Sequence, residues 1–136
     1  MSTAQEVDKH IKQWRHNRRF AKTIDAAYRD WQVTAIFYTA LHAVDAALAK
    51  LNVVVEDHTT RNEAVKSNRS FVNIRDAYLD LYRISRITRY DADPDQWIPE
   101  RYLTIKDLVE DLLRPIENGL TDIVPDVKFL PLAVAE

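Results

Sequence analysis

Tyr38, His42 and Asp45 stand one helical turn apart in a segment whose other residues are mostly apolar, running Trp-Gln-Val-Thr-Ala-Ile-Phe-Tyr-Thr-Ala-Leu-His-Ala-Val-Asp-Ala-Ala-Leu-Ala-Lys-Leu from Trp31 to Leu51. Apolar residues fall on nearly every side of that helix, so it belongs inside the protein. Polar side chains on a buried helix are destabilising unless each finds a partner. A histidine beside a carboxylate serves as an acid–base or is held in one tautomer. The structural alternative is a satisfied polar cluster that sets helix packing or a dimer seam.

Two further groups carry chemistry. Asp57, His58, Arg61 and Asn62 sit at a loop-to-helix junction. There, an arginine beside free backbone N–H groups suits an anion; the alternative is plain capping by Thr60 and Glu63. Arg83, Arg86, Arg89 and Tyr90 follow, with Arg75, Tyr82 and Arg86 on one helical stripe that Arg89 and Tyr90 continue. Arginine interleaved with tyrosine suits phosphates and stacked bases. The competing account is an ion-pair network with Asp76, Asp80 and Asp91.

Lys12, Arg15, Arg19 and Lys22 form a basic stripe on the first helix, suited to a nucleic-acid backbone or simply to solvent. The four histidines are scattered, and none pairs with another at His-x-x-x-His spacing beside a carboxylate, so no metal and no cofactor is expected. The chain has no cysteine and one glycine, Gly119. Thiolate chemistry, disulfides and Gly-rich phosphate loops are thereby excluded.

The elements that must position these residues read as all-α: an up-and-down bundle of four long helices and one short one. The first spans about 3 to 27, with Val7, Ile11, Trp14, Ala21 and Ile24 as its apolar stripe. The second is the Trp31–Leu51 segment, with Asp30 as a candidate N-cap. A short helix is expected from Arg61 to about Asn68. Ser70 caps the next, whose inner face is Phe71, Ile74, Tyr78, Leu81 and Ser85; it ends before Asp91-Ala92-Asp93-Pro94. The last helix starts near Pro99 or at Thr104 and buries Tyr102, Ile105, Val109, Leu112 and Ile116. Pro115 should kink or end it, and Asn118-Gly119 should stop it. From Val124 onward a proline-punctuated, apolar tail packs on this domain or on a neighbour.

Residues 1–136 make a single domain by length. Net charge is only −2, but the sign is uneven. Every charged residue from Lys9 to Lys22 is basic, whereas acids outnumber bases ten to three between Asp91 and Asp126. One face can thus be basic in a nearly neutral protein. The N-terminus lacks an apolar signal core and the longest apolar stretch is broken by His42 and Asp45, so a cytoplasmic location with no membrane span is expected.

The pattern Phe37-Tyr38-Thr-Ala-Leu-His42-Ala-Val-Asp45-Ala, then His58-x-x-Arg61-Asn62, then Leu81-Tyr82-x-x-Ser85-Arg86-x-x-Arg89-Tyr90, resembles the HEPN superfamily of small helical domains. Trp14-Arg-His16-Asn17 to Phe20 is similar to the first helix of such proteins. The resemblance covers about residues 5 to 117. It implies a helical bundle that forms a homodimer, acts on or binds RNA, and belongs to a toxin–antitoxin or defence system with an antitoxin or nucleotidyltransferase-type partner. Ribonucleolytic members carry Arg, four to six residues, then His. Arg86 matches that Arg, but no His follows it in this chain. The resemblance therefore assigns Arg61, Asn62, Arg89, Tyr90, Tyr38 and Asp45 to ligand or phosphate binding, with Arg86 and a displaced His42 or His58 as the catalytic set. Whether the chain is an enzyme stays open. The alternative is a non-catalytic helical dimerisation or protein-interaction domain.

Overall fold

The computed structural model describes residues 3–90 and 104–132. Those residues form five helices and no strand. Helix α1 is Thr3–Thr23, α2 is Arg29–Lys50, α3 is His58–Ser67 and α4 is Arg75–Tyr90. Helix α5 is a continuous helical run over 105–119: α-helical at Ile105–Leu108, π-helical at Val109–Leu113, and α-helical again at Arg114–Gly119. Short 3₁₀ turns at Ala26–Tyr28, Arg69–Phe71 and Pro125–Val127 join or follow them. Helix α1 packs along α2, and α2 in turn packs against α4.

The all-α expectation holds, while several helix ends move. Helix α1 stops at Thr23, short of 27, because Asp25 bends back to accept a bond from the Ala27 N–H and starts a 3₁₀ turn. A local side-chain bond of this kind competes with helix continuation. Asp30 lies in the first turn of α2 and does not cap it. Helix α3 begins at His58, three residues before the expected start. Its capping box pairs Asp57 with Thr60, and not Thr60 with Glu63. Ser70 falls inside a 3₁₀ turn capped by Asn68. Thr104 caps α5, accepting from the Asp107 N–H; Pro99, Tyr102 and the Asp91–Pro94 turn lie outside the described residues.

Helix α2 is the core. Val33, Ile36, Phe37, Ala40, Ala43, Val44, Ala46 and Ala47 have no exposed surface at all. It ends in a Schellman-type closure. Asn52 takes the left-handed conformation at φ 58°, its N–H bonds Ala49 O, and the Val53 N–H bonds Leu48 O. Asparagine is the common substitute for glycine at this position. Thr3 at the start of α1 donates to the Asn52 side chain, tying the two helices together at that end.

Pro115 does not end α5. A proline lacks the N–H of the helical ladder and its ring crowds the carbonyl four residues back. The helix widens to a π segment over Val109–Leu113 just before it, which is a known way to absorb such a break. Gly119 does not act as a left-handed stop either; the helix runs to it. A Cβ there would lie 2.2 Å from Ile74 Cγ2, so the missing side chain lets α5 approach the start of α4. The tail packs on this domain: Val124, Val127 and Leu132 are buried, and Phe129 packs against the core.

One buried charge pair joins α1 to α5. Glu117 has no exposed surface and receives three donors: Arg18 Nε at 2.7 Å, Arg18 Nη2 at 2.7 Å and the Trp14 indole at 2.6 Å. Arg18 also donates to the Leu130 carbonyl at 2.7 Å, which anchors the tail. Burial pushes the Glu117 carboxyl up, and the Arg18 and Trp14 bonds oppose it. Arg18 falls in the seven-residue gap of the α1 apolar stripe, between Trp14 and Ala21, so it occupies a core position. Arg18→Met should lower stability by about 3–5 kcal/mol, because it strands the Glu117 charge, whereas Arg18→Met with Glu117→Leu should recover most of that loss in urea unfolding. Gly119→Ala should destabilise by about 1–3 kcal/mol through the Ile74 clash, read as a lower thermal midpoint.

Candidate functional site

A buried ion pair lies between the two groups of polar residues that the structure brings together. Asp45 of α2 and Arg61 of α3 are both buried, and they meet fork to fork. Arg61 Nε donates to Oδ1 at 2.7 Å and Nη2 to Oδ2 at 3.1 Å. Bidentate geometry of this kind is the strong form of the Arg–carboxylate contact. The sequence places Arg61 as a phosphate ligand; in the structure its fork is occupied by Asp45. Its remaining Nη1 lies 3.4 Å from His58 Nδ1. Asn62, the next residue, is half-buried, and its Oδ1 has no hydrogen-bond partner among the described residues.

Beyond Arg61, toward α4, lies an aromatic cluster. Fully buried Phe37 packs against Tyr38, His58, Tyr78 and Tyr82, with ring centroids 5.3–6.1 Å away. Arg89 reaches over it: its guanidinium carbon is 5.3 Å from the Phe37 ring centre, and 5.5 Å from those of both Tyr38 and Tyr90. Arg89 Nη1 donates to the Tyr38 hydroxyl at 2.8 Å, while its buried Nε has no partner among the described residues. The Tyr78 hydroxyl is likewise buried and unpartnered, and burial raises its pKa.

His58, Tyr82, Arg86, Arg89 and Tyr90 line a cleft of about 290 Å³. The four α4 residues recur at i, i+4, i+7 and i+8, one helical stripe. None of the five is acidic. Arg83 pairs with Asp80 at 3.1 Å, as the network reading requires, but Arg86 and Arg89 have no carboxylate partner among the described residues. Asp91 lies outside those residues. Arg86 is exposed and meets the Tyr82 hydroxyl only at 3.4 Å. Among the described residues the cleft lining is therefore positive, with aromatic faces beside its charges. Its imidazole, His58, has a lowered pKa, from burial first and then from the Arg61 and Arg89 charges, so the ring is neutral at pH 7 and can accept a proton.

His42 does not line this cleft. It points toward α1, where its Nδ1 lies 3.1 Å from His10 Nδ1. Burial lowers both imidazole pKa values, His42 to about 4. His10 was not singled out in the sequence, because it lies 32 residues from His42 and on another helix. No local spacing connects the two; only the packing of α1 on α2 does.

The basic stripe of α1 stays at the surface, and two of its members pair with acids: Lys12 with Asp8 and Arg15 with Asp126, both at 3.7 Å. No helix among the described residues is long and apolar enough to cross a membrane.

Fold and site together define a small all-α domain of five helices carrying an arginine- and tyrosine-lined cleft beside a buried Asp–Arg pair. No protein-family model, curated protein or solved structure matches the chain.

Three imidazoles with lowered pKa values make a direct test. In a chelated buffer, NMR titration should place His10, His42 and His58 below the ordinary value near 6.5, with His42 lowest, at about 4. The unfolded chain then binds more protons than the folded one between these limits. Stability should be full above pH 6.5 and fall as pH drops from about 6.5 toward 4. Titration of all three rings at or above 6.5 would contradict the burial described.

Proposed function

We propose that this protein is an RNA-binding domain of HEPN-like type, which grips single-stranded or looped RNA in the cleft lined by His58, Tyr82, Arg86, Arg89 and Tyr90. The observation that carries this reading is the absence of any carboxylate partner for Arg86 and Arg89 among the described residues, in a cleft that also exposes aromatic rings. Arg86, exposed and held by no acid among the described residues, is the phosphate contact. Tyr90 is 75% exposed and offers a free face for a base. Arg89 is fixed over Phe37 and Tyr38 and presents its charge from a rigid seat. Tyr38 acts through Arg89. Asp45 and Arg61 hold α3 in place so that His58 faces the cleft.

If the domain cleaves RNA, His58 is the better general base of the two histidines considered. It is neutral at pH 7 and lies in the cleft with Arg86, whereas His42 faces α1. The HEPN resemblance, with its Arg present and its following His absent, supports binding more directly than catalysis. The toxin–antitoxin or defence role and the antitoxin or nucleotidyltransferase-type partner rest on that resemblance alone.

A second reading, a helical dimerisation domain, draws support from Phe20, Tyr28 and Trp31. All three are at least half exposed, at the junction of α1 and α2. Trp31→Ala should abolish a homodimer built on that junction, as measured by light scattering.

The RNA reading is tested by fluorescence anisotropy with a labelled single-stranded RNA from about 50 to 200 mM salt. Binding should weaken with salt, and Arg86→Ala with Tyr90→Ala should weaken it by about tenfold or more at constant thermal stability. Equal binding by the wild type and this double variant, or no binding at low salt, would overturn the reading. Loss of chelator-resistant cleavage in His58→Gln, with RNA binding intact, would assign the proton transfer.

A further inference from the structure

On the far side of the Asp45–Arg61 pair from the His58–Arg86 cleft, α1 and α2 bring two histidines edge to edge. The His10 and His42 ring centroids are 5.3 Å apart with planes 27° apart, and their Nδ1 atoms point at each other at 3.1 Å. Two nitrogens so placed share one proton in an N–H···N bond, and tilting both rings turns their lone pairs onto one cation. Zinc-type ions hold imidazole nitrogen at about 2.0–2.1 Å, so this separation corresponds to an N–metal–N angle of about 100°. That angle lies between the octahedral and tetrahedral ideals.

A third ligand stands beside them. The ligand atoms of His10, His42 and Asp45 all lie within 4.8 Å of one another, so modest rotamer adjustments close a three-ligand set. Asp45 is not used up by Arg61. Each carboxylate oxygen has a second lone-pair site, and Arg61 takes one per oxygen. Arg61 then orients the ligating carboxylate, as outer groups do around bound metals. On the other side, Glu6 Oε2 lies 3.7 Å from His10 Nε2, the nitrogen that a Nδ1-bound metal leaves free. A carboxylate on the far ring nitrogen of a ligating histidine is the usual outer arrangement.

Access and charge agree with a cation. His10, Asp45 and Arg61 face an open pocket of about 580 Å³ that Glu6 also lines. Asp45, Glu6 and Arg61 together leave one net negative charge there. We propose that His10, His42 and Asp45 bind one divalent transition-metal ion of the zinc class, which clamps α1 onto α2 and keeps coordination positions open to this pocket. Two imidazoles, a carboxylate and no thiolate favour zinc, cobalt or nickel over calcium or magnesium. The ion sits apart from the arginine-lined cleft, so it is independent of RNA binding there.

The test uses the full chain without an affinity tag, stripped with chelator and titrated with Zn²⁺ by calorimetry and with Co²⁺ by absorption. The expected result is saturable binding of one ion per chain, a rise in thermal midpoint, and Co²⁺ bands of a low-coordinate nitrogen–oxygen site. His10→Gln and His42→Gln should each weaken Zn²⁺ binding by at least about tenfold, while His16→Gln, on the exposed face of α1, should not. His10 is only half-buried, so His10→Gln should fold, as circular dichroism will report. The proposal is overturned by any of three results: no saturable binding of Zn²⁺ or Co²⁺ to the wild type, binding unchanged in either histidine variant, or equal loss in His16→Gln.

Discussion

Asp45 is a charge on the most buried helix of the protein, and the arrangement of the polar groups follows from how that charge is met. A carboxylate in such a place is tolerated only with a partner that satisfies both its oxygens. Arg61 is that partner. Its helix, α3, starts at a capping box of Asp57 with Thr60 and packs against α4, and Arg61 reaches across to Asp45 from its first turn. The ion pair thus sets the position of α3, and α3 in turn sets His58 beside Tyr82. The pair also partitions the polar residues of the bundle. His10 and His42 lie on its α1 side; His58, Tyr82 and Arg89 lie on its α4 side.

The opposite end of α1 repeats the same physics. Glu117 is buried with no exposed surface and is answered by Arg18 and Trp14. Two buried carboxylates, each held by an arginine from a different helix, pin α2 to α3 and α1 to α5. Such pairs are weak as net stabilisers but demanding in geometry, since either partner alone is strongly destabilising. They restrict the ways these mostly apolar helices can slide past one another. The π segment of α5 serves the same register: it accommodates Pro115 while keeping Leu112, Leu113, Ile116 and Glu117 directed inward.

The arginines divide into those answered by a buried carboxylate and those with none among the described residues. Arg18 and Arg61 are neutralised inside the fold. Arg89 is seated among aromatic rings, with a tyrosine hydroxyl for a partner, and Arg86 stands at the surface. Among the described residues, these two arginines have no carboxylate partner, and they lie beside the exposed Tyr90. Of the residues singled out in the sequence, the cleft brings together His58, Tyr82, Arg86, Arg89 and Tyr90, while Asp45 pairs with Arg61 and His42 faces α1.

The helices themselves were legible in the sequence, because apolar periodicity reports burial one element at a time. Helix α2 is buried on nearly every side as expected, and the expected inner positions Tyr78, Leu81 and Ser85 of α4 and Ile105, Val109, Leu112 and Ile116 of α5 are buried. Helix ends were less legible, since Asp25, Asp57 and Asn68 compete as caps with their neighbours and only the folded context selects among them. The types of residue at the candidate site were visible as well: the Arg–Tyr stripe of α4 and the His42–Asp45 turn of α2 are local patterns. Tertiary structure alone decided the pairings. It gave Arg61 to Asp45, Arg18 to Glu117, His10 to His42 and Arg89 to Tyr38, across separations of 16, 99, 32 and 51 residues. Local patterns carry no record of such partners, because a side chain's partner is set by how helices pack, and packing is a property of the whole chain.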